Sequence, residues 1–442
     1  MPVKELEKRF EPMEKAMGEH EALAEAGRCL FCYDAPCSAA CPAGISVPDF
    51  IRRIRDGNIK GSARQLYETN YLAGGCARVC PTKELCEGAC VLNALHGRPI
   101  PIGRLQRYAT DWAIDNRAQI LFPGKTTGKR VAVIGAGPAG YSCAAELARL
   151  GHRVEIFEAR RKEGGLYTHA IARYKISSSF ALKELRMLKN LGIRLKTGTR
   201  IGADIPFETL LKKYDAVFLG IGRGSTASLN IPGEDLQGVV EGLSFLEKTR
   251  SAELDKISIG KRVVVVGGGN TAVDAAIAAG RLGALDVMVL YRRSRAEMPA
   301  YKDEQKMALV EGVRFIWLAA PVRILGEKRV GGLKCVRMRL SDADSSGRPR
   351  PVPIPGSEFT IECDMVIAAL GQVYLSDILS GIHGLKLENG RVVVNNKTGA
   401  TSVEKLFAGG DCATGGGEMV DAVAEGIRAA RGIHESFLMK SR

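Results

Sequence analysis

One pattern is written twice in this chain, and it limits the possible folds more than any other feature. Residues 129–151, KRVAVIGAGPAGYSCAAELARLG, and residues 261–283, KRVVVVGGGNTAVDAAIAAGRLG, begin 132 residues apart. Each runs from Lys-Arg through a short apolar strand, a glycine turn and a small-residue helix to Arg-Leu-Gly. A strand that turns on glycines into a helix is the opening of a dinucleotide-binding α/β fold. Two copies predict two nested Rossmann-like domains built on parallel sheets. DAVFLGIG (215–222) and DMVIAALG (364–371) read as a later strand of each copy.

The first turn, Gly135-Ala136-Gly137-Pro138-Ala139-Gly140, fits G-x-G-x-x-G. Its first glycine makes the turn, its second lets a pyrophosphate approach, and its third lets helix pack on strand. The next strand, HRVEIFEAR, ends in Glu158, 23 residues past Gly135. An acid there accepts hydrogen bonds from an adenosine ribose diol. KLFAGGDCATGGGEMVDAVAEGIRAA, near the C-terminus, adds a strand, a Gly410-Asp411 turn and a helix. This segment resembles the one that closes over FAD in two-dinucleotide flavoproteins, which implies FAD here, with Asp411 near the ribityl and pyrophosphate groups and a helix from about Glu418, with Met419 and Val420 at its start, pointing at the isoalloxazine.

The second turn, Gly267-Gly268-Gly269-Asn270-Thr271-Ala272, is followed by a strand ending in Tyr291, Arg292 and Arg293. No acid is placed for a bare diol, and two guanidinium groups are placed for a 2′-phosphate, which tilts the reading toward NADPH over NADH. An arginine can also stack on adenine and serve NADH. A solvated charge run is the competing explanation. Ala369, Leu370 and Gly371, after the later strand, are counted among the cofactor contacts.

Eight of the twelve cysteines lie in the first ninety residues. Cys29, Cys32, Cys37 and Cys41 give C-x2-C-x4-C-x3-C; Cys76, Cys80, Cys86 and Cys90 give C-x3-C-x5-C-x3-C. The N-terminus is charged and has no apolar h-region, so a cytoplasmic address is expected, where thiols stay reduced. Zinc ribbons join two C-x2-C pairs, and only one is present. Closely spaced cysteines followed by proline, as in Cys41-Pro42 and Cys80-Pro81, point to iron–sulfur clusters. Residues 1 to about 125 otherwise carry helical patterning. SVPDFIRRIRDGNIKGSARQLYETN reads as two helices broken at Asp56-Gly57-Asn58, and IGRLQRYATDWAIDN as another.

The net charge of +14 comes from 63 basic and 49 acidic residues scattered along 442, with 6% aromatics. Solvated faces and a few phosphate contacts account for it, and nucleic-acid binding is not expected. No apolar run reaches membrane-spanning length. No Ser-His-Asp arrangement, histidine pair or carboxylate dyad marks a catalytic side chain. The lone His96 on a helix is read as packing.

RCLFCYDAPCSAACP, CARVCPTKELCEGAC and IPIGRLQRYATD resemble segments of dihydropyrimidine dehydrogenase. The resemblance extends over nearly the whole chain to the wider group that includes glutamate synthase small subunits and transhydrogenase subunits. It implies that the ligands cross between the two knots. Cys29, Cys32, Cys37 and Cys90 would hold one [4Fe–4S] cluster; Cys41, Cys80, Cys86 and Gln106 would hold the other, with Cys76 spare. It further implies that Val79, Gly165, Leu166 and Lys175 line FAD, and that Gly268 to Thr271 with Arg292 and Arg293 hold the nicotinamide cofactor. A further basic contact of that family falls on Pro299 here, and Arg295 is the nearest substitute. The FMN barrel of the long dehydrogenases has no counterpart in these residues. The resemblance therefore implies an electron-input subunit, oxidising NAD(P)H and passing electrons to a separate FMN/iron–sulfur catalytic subunit in a hetero-oligomer. A glutamate synthase large subunit, a bifurcating complex, or a self-contained oxidoreductase with its own acceptor are the alternatives.

The expected architecture is α/β with an all-α N-terminal domain: residues 1–125 helical and iron–sulfur, 126–243 and 361–442 forming the FAD-binding domain, and 244–360 the NAD(P)H-binding domain.

Overall fold

The computed structural model describes residues 3–12, 14–251, 253–343 and 347–439, and the side chain of His96 lies outside what it describes. The chain forms two compact units: residues 13–168, 175–223 and 374–442 make one, and residues 1–12, 169–174 and 224–373 make the other.

The first unit begins with helices. Val47–Arg55 and Ile59–Thr69 are separated where expected, because Gly57, at φ 73°, turns the chain out of the first and Asn58 caps the next: its side chain accepts the Gly61 N–H at 2.9 Å. Phe50, Ile51 and Ile54 on one helix and Leu66 and Tyr67 on the other are buried at helical spacing. Ala73–Val79 packs on Ile102–Asp115. Among the described residues no strand precedes Arg130. A parallel five-stranded sheet follows, in the order Leu406–Ala408, Ala216–Leu219, Arg130–Ile134, Arg153–Phe157, Arg194–Lys196. Helix Pro138–Arg149 leaves the central strand, and helix Met419–Met439 packs along it.

The second unit repeats this plan. Its parallel sheet runs Val239–Glu241, Met365–Ala368, Arg262–Val266, Asp286–Tyr291, Arg314–Trp317. Its central strand is buried on both faces, as parallel strands are. Val263 and Val265 join the core around helix Asn270–Leu282, while Val264 and Val266 join the core under an antiparallel sheet of residues 319–361.

Sheet membership moves the expected boundaries. Val239–Glu241 and Met365–Ala368 pair within the second sheet, so that unit opens at Gly224 and closes at Val373 rather than at 244 and 360. The helical stretch from residue 13 is compact with the first dinucleotide fold, tied to it by Tyr71, whose hydroxyl donates to Glu146. No helix among the described residues is long and apolar enough to cross a membrane.

Candidate functional site

The first glycine turn is built by close approach. Gly135 has φ 100°, and a Cβ on it would lie 2.4 Å from the Gly220 carbonyl oxygen. A Cβ on Gly140 would lie 1.9 Å from the Gly135 oxygen, so only glycine lets helix meet strand there. Beside Gly137 nothing lies within 4 Å, which leaves room for phosphate oxygens in front of the helix Pro138–Arg149. Glu158 does not face solvent. Its two oxygens accept the Ala136 and Arg160 N–H groups, each at 2.8 Å, which fixes the carboxylate against the turn and leaves lone pairs for a diol.

The C-terminal segment sits on the same turn. Gly410, at φ 75°, donates its N–H to Glu425 at 2.5 Å. A Cβ on Gly410 would lie 2.9 Å from the Ala139 methyl group. Burial pushes the Asp411 carboxyl up, opposed by the charge of Arg223. Val420 is buried, and Met419 reaches the helix Ala73–Val79: a Cβ on Gly75 would lie 2.7 Å from its Cε. Val79 is half-buried at the end of that helix. Gly165 comes within 3.1 Å of Gly137 Cα by the same measure, Leu166 opens the short helix after it, and Lys175 is half-buried. The donors, glycines and acid of this unit fit FAD.

In the second unit Gly267, at φ 152°, would place a Cβ 2.3 Å from the Ala369 oxygen. A Cβ on Gly268 would strike the Tyr291 ring at 2.4 Å, while Gly269 faces open space. Asn270 Oδ1 accepts the Tyr301 N–H at 3.1 Å, and Thr271 is half-buried in the first turn of the helix. Ala369 is buried, Leu370 is exposed and Gly371 turns the chain at φ 96°. The arginine pair divides. Arg292 is exposed, but Arg293 is only 3% exposed and its Nε donates to the Pro349 carbonyl at 2.9 Å. Arg293 thus departs from the expected phosphate role: its guanidinium is held inside by the neighbouring hairpin. Arg295 is exposed three residues beyond Arg292.

The cysteines form two neighbouring groups. Cys29, Cys32, Cys37 and Cys90 line one partly open cavity, whose other lining residues are all apolar. Burial pushes the Cys37 thiol up to about 11, with Cys90 and Cys29 adding to it. The second group contains Cys41, Cys80 and Cys86. The Cys80 thiol is raised by its hydrogen bond with Cys76 and by burial, with Cys86 and Cys41 contributing. Burial pushes Cys86 up to about 12, with Glu87 and Cys41 adding. Gln106 is buried on the facing helix and its amide nitrogen donates to the Ala73 carbonyl at 2.7 Å, which orients the side chain so that its carbonyl oxygen is the atom able to ligate. Cys76 is buried beside the same helix turn.

Among the described residues no three His, Cys, Asp or Glu side chains converge closely enough to hold a single metal ion. A tetrahedral ion gathers its thiolates to about 4 Å from one another. A four-iron cube is gripped from its outside and asks for no such closeness. The four thiols in an apolar cavity fit that larger group.

Glu184, Glu425 and the glycine pair Gly74-Gly75 shape this unit and are invisible to motif reading. Glu184 lies in an ordinary amphipathic helix, and its partners come from segments 17 and more than a hundred residues away.

Two parallel dinucleotide folds with flavin-type and nicotinamide-type turns define a pyridine-nucleotide flavoprotein. Residues 129–426 match the pyridine nucleotide-disulphide oxidoreductase family, and residues 6–118 match the domain described as dihydropyrimidine dehydrogenase domain II, 4Fe-4S cluster. The chain belongs to the pyridine nucleotide-disulphide oxidoreductase family, in the group of glutamate synthase small chain-like proteins. The glutamate synthase [NADPH] small chain of Halomonas elongata is 38% identical over 98% of this chain and 94% of its own length. The NADP(+)-dependent formate dehydrogenase subunit beta of Moorella thermoacetica is 39% identical over 91% of this chain, which spans 60% of that longer protein. The fold is shared with Mycobacterium tuberculosis FprA in complex with NADPH, at a TM-score of 0.58 and 19% identity over 71% of this chain and 85% of that one. The protein is an NAD(P)H-dependent oxidoreductase whose cofactors are FAD and two [4Fe–4S] clusters.

Proposed function

We propose that the chain is the electron-input subunit of a hetero-oligomeric reductase whose partner carries FMN and further clusters and reduces uracil or thymine. The bound groups supply the redox chemistry: hydride acceptance from NAD(P)H, and onward passage of single electrons. The side chains of the protein bind and orient. Glu158, Gly137 and Gly410 would hold FAD, Gly269 and Arg292 the nicotinamide dinucleotide, and the two cysteine groups, the second completed by Gln106, the clusters.

The observation that carries this reading is the first cysteine group. Cys29, Cys32 and Cys37 share their cavity with Cys90, more than fifty residues on, rather than with Cys41. That is the crossed arrangement implied by the dehydrogenase resemblance, and the domain match over residues 6–118 supports the same branch. A second reading replaces the pyrimidine-reducing partner with a glutamate synthase large subunit. The near full-length likeness to the Halomonas elongata small chain favours it. A cytoplasmic address belongs to either reading.

Reconstitution tests the choice. The purified chain should reduce artificial acceptors with NAD(P)H and leave uracil and thymine untouched. An FMN-containing pyrimidine-reducing subunit should restore NAD(P)H-dependent uracil reduction. Turnover only with a glutamate synthase large subunit would keep the electron-input role and overturn the branch. Uracil reduction by the chain alone would overturn the subunit reading itself.

A further inference from the structure

One buried carboxylate in the first unit has no part in the roles above. Glu184, on helix Ser178–Lys189, is fully buried. Its Oε1 accepts the Gly74 N–H at 2.7 Å and the Tyr67 hydroxyl at 2.8 Å. Its Oε2 accepts the Tyr167 hydroxyl at 2.6 Å and the Gly75 N–H at 3.2 Å. Two amides and two phenols converge on it, with the Gly75 N–H shared between the two oxygens at 3.2 and 3.3 Å, and four such donors are surroundings that favour an ionised carboxylate. Burial pushes the carboxyl up from its ordinary range, and the hydrogen bonds from Tyr167, Tyr67 and Gly74 act against that.

The two glycines exist for this contact. A Cβ on Gly74 would lie 2.7 Å from Glu184 Oε1, and one on Gly75 would meet both Met419 Cε and the Tyr167 hydroxyl at 2.7 Å. The carboxylate therefore anchors the start of helix Ala73–Val79, on the side where Met419 arrives. Val79 and Cys80 lie at the other end of that helix, one residue apart. Five or six residues at 1.5 Å rise put that end about 8 Å along the axis.

We propose that Glu184 is a fixed buried anion that lowers the reduction potential of the iron–sulfur group held by Cys80; this rests on the cluster reading above. An added electron is one more negative charge. A fixed negative charge nearby in a poorly screened interior disfavours it. Net charge and hydrogen bonding are the levers by which proteins set cluster potentials. A low potential at this point leaves the electron ready to move on to a partner.

The test is an EPR-monitored redox titration of the holoprotein, preceded by iron analysis. In Glu184→Gln the side-chain oxygen still accepts from Gly74 and Tyr67, and the new amide can donate to the Tyr167 hydroxyl. Iron content should match the wild type, while one cluster's midpoint moves upward and the other's stays put. Unmoved midpoints with iron intact would overturn the proposal. Wild-type protein without iron would instead remove the cluster reading on which it rests. If the Gln variant does not fold, Tyr67→Phe decides. It strips one hydrogen bond from the carboxylate and leaves its charge less compensated, so the same midpoint should move downward; no movement overturns the proposal.

Discussion

Gly426 lies against Ala139: a Cβ on the glycine would sit 2.2 Å from the Ala139 carbonyl oxygen and 3.0 Å from the Cys143 nitrogen. Helix Met419–Met439 and helix Pro138–Arg149 therefore touch backbone to backbone at this point. Gly426→Ala should gain about 1 kcal/mol of helix propensity and lose about 1–3 kcal/mol to overpacking against atoms that cannot swing away. The larger loss is expected where the neighbour is main chain. The variant should retain less flavin after gel filtration and melt at a lower temperature; unchanged flavin occupancy would show that the helices can part at no cost.

Iron analysis separates the two cysteine groups. Cys90→Ser should remove one cluster, because Cys90 shares the cavity of Cys29, Cys32 and Cys37. Cys86→Ser should remove the other. Gln106→Ala should perturb that second cluster, while Cys76→Ser should leave both intact. Loss of iron in Cys76→Ser with full iron in Gln106→Ala would exchange the roles of these two residues.

The arginines after the second sheet's strand should behave differently. Arg292→Ala should weaken NADPH binding relative to NADH by about 1.5–3 kcal/mol, the range of a charge-assisted contact to phosphate. Isothermal titration with NADP⁺ and NAD⁺ reads this directly. Arg293→Ala should leave that ratio unchanged and lower the melting temperature, because its guanidinium is spent on Pro349. A ratio that shifts only in the Arg293 variant would restore the phosphate role to it.

Acid should loosen the C-terminal helix. His152 accepts or donates at both ring nitrogens, with Thr127 at 2.6 Å and His434 at 2.9 Å, and lies edge-on to Phe437. Burial holds its pKa down to about 4, with His434 and Lys129 adding to the effect and Asp215 opposing it. A histidine depressed in the folded state stabilises fully above its unfolded pKa of about 6.5. That contribution is lost as pH falls from there toward 4. Thermal melts over this range should show a fall that is shallower in His152→Asn.

The parts of the site that lie within one turn of the chain were readable from the sequence. Gly140 is needed because of the Gly135 carbonyl five residues away, and Glu158 ends the strand beside its turn, so spacing alone finds them; the atoms that require Gly135 and Gly267, on Gly220 and Ala369, lie on other strands, and there the glycine motif stands in for them. The partition of the cysteines came from a family likeness, since spacing treats Cys41 and Cys90 alike. What the sequence hid depends on distant segments. Arg293 looks like its neighbour Arg292 until the hairpin that carries Pro349 folds over it. Glu184 looks like any helical acid until Tyr67, Gly74 and Tyr167 close around it. The domain boundaries shifted for the same reason: an isolated apolar strand does not announce which sheet it will join.

The interleaving of the chain sets an order of maturation during synthesis. The second unit's sheet has all five strands once residue 368 has emerged, but the first sheet still lacks Leu406–Ala408, which pairs with a strand made almost two hundred residues earlier. Pairing across so long a loop is slow. The helix that lies over the flavin turn is translated later still. The nicotinamide fold can therefore be complete on the ribosome while the flavin pocket is still open, so FAD is sealed in only when the last helix docks. A chain cut between residues 374 and 405 would keep all five strands of the nicotinamide sheet while lacking both Leu406–Ala408 and the helix that closes the flavin pocket.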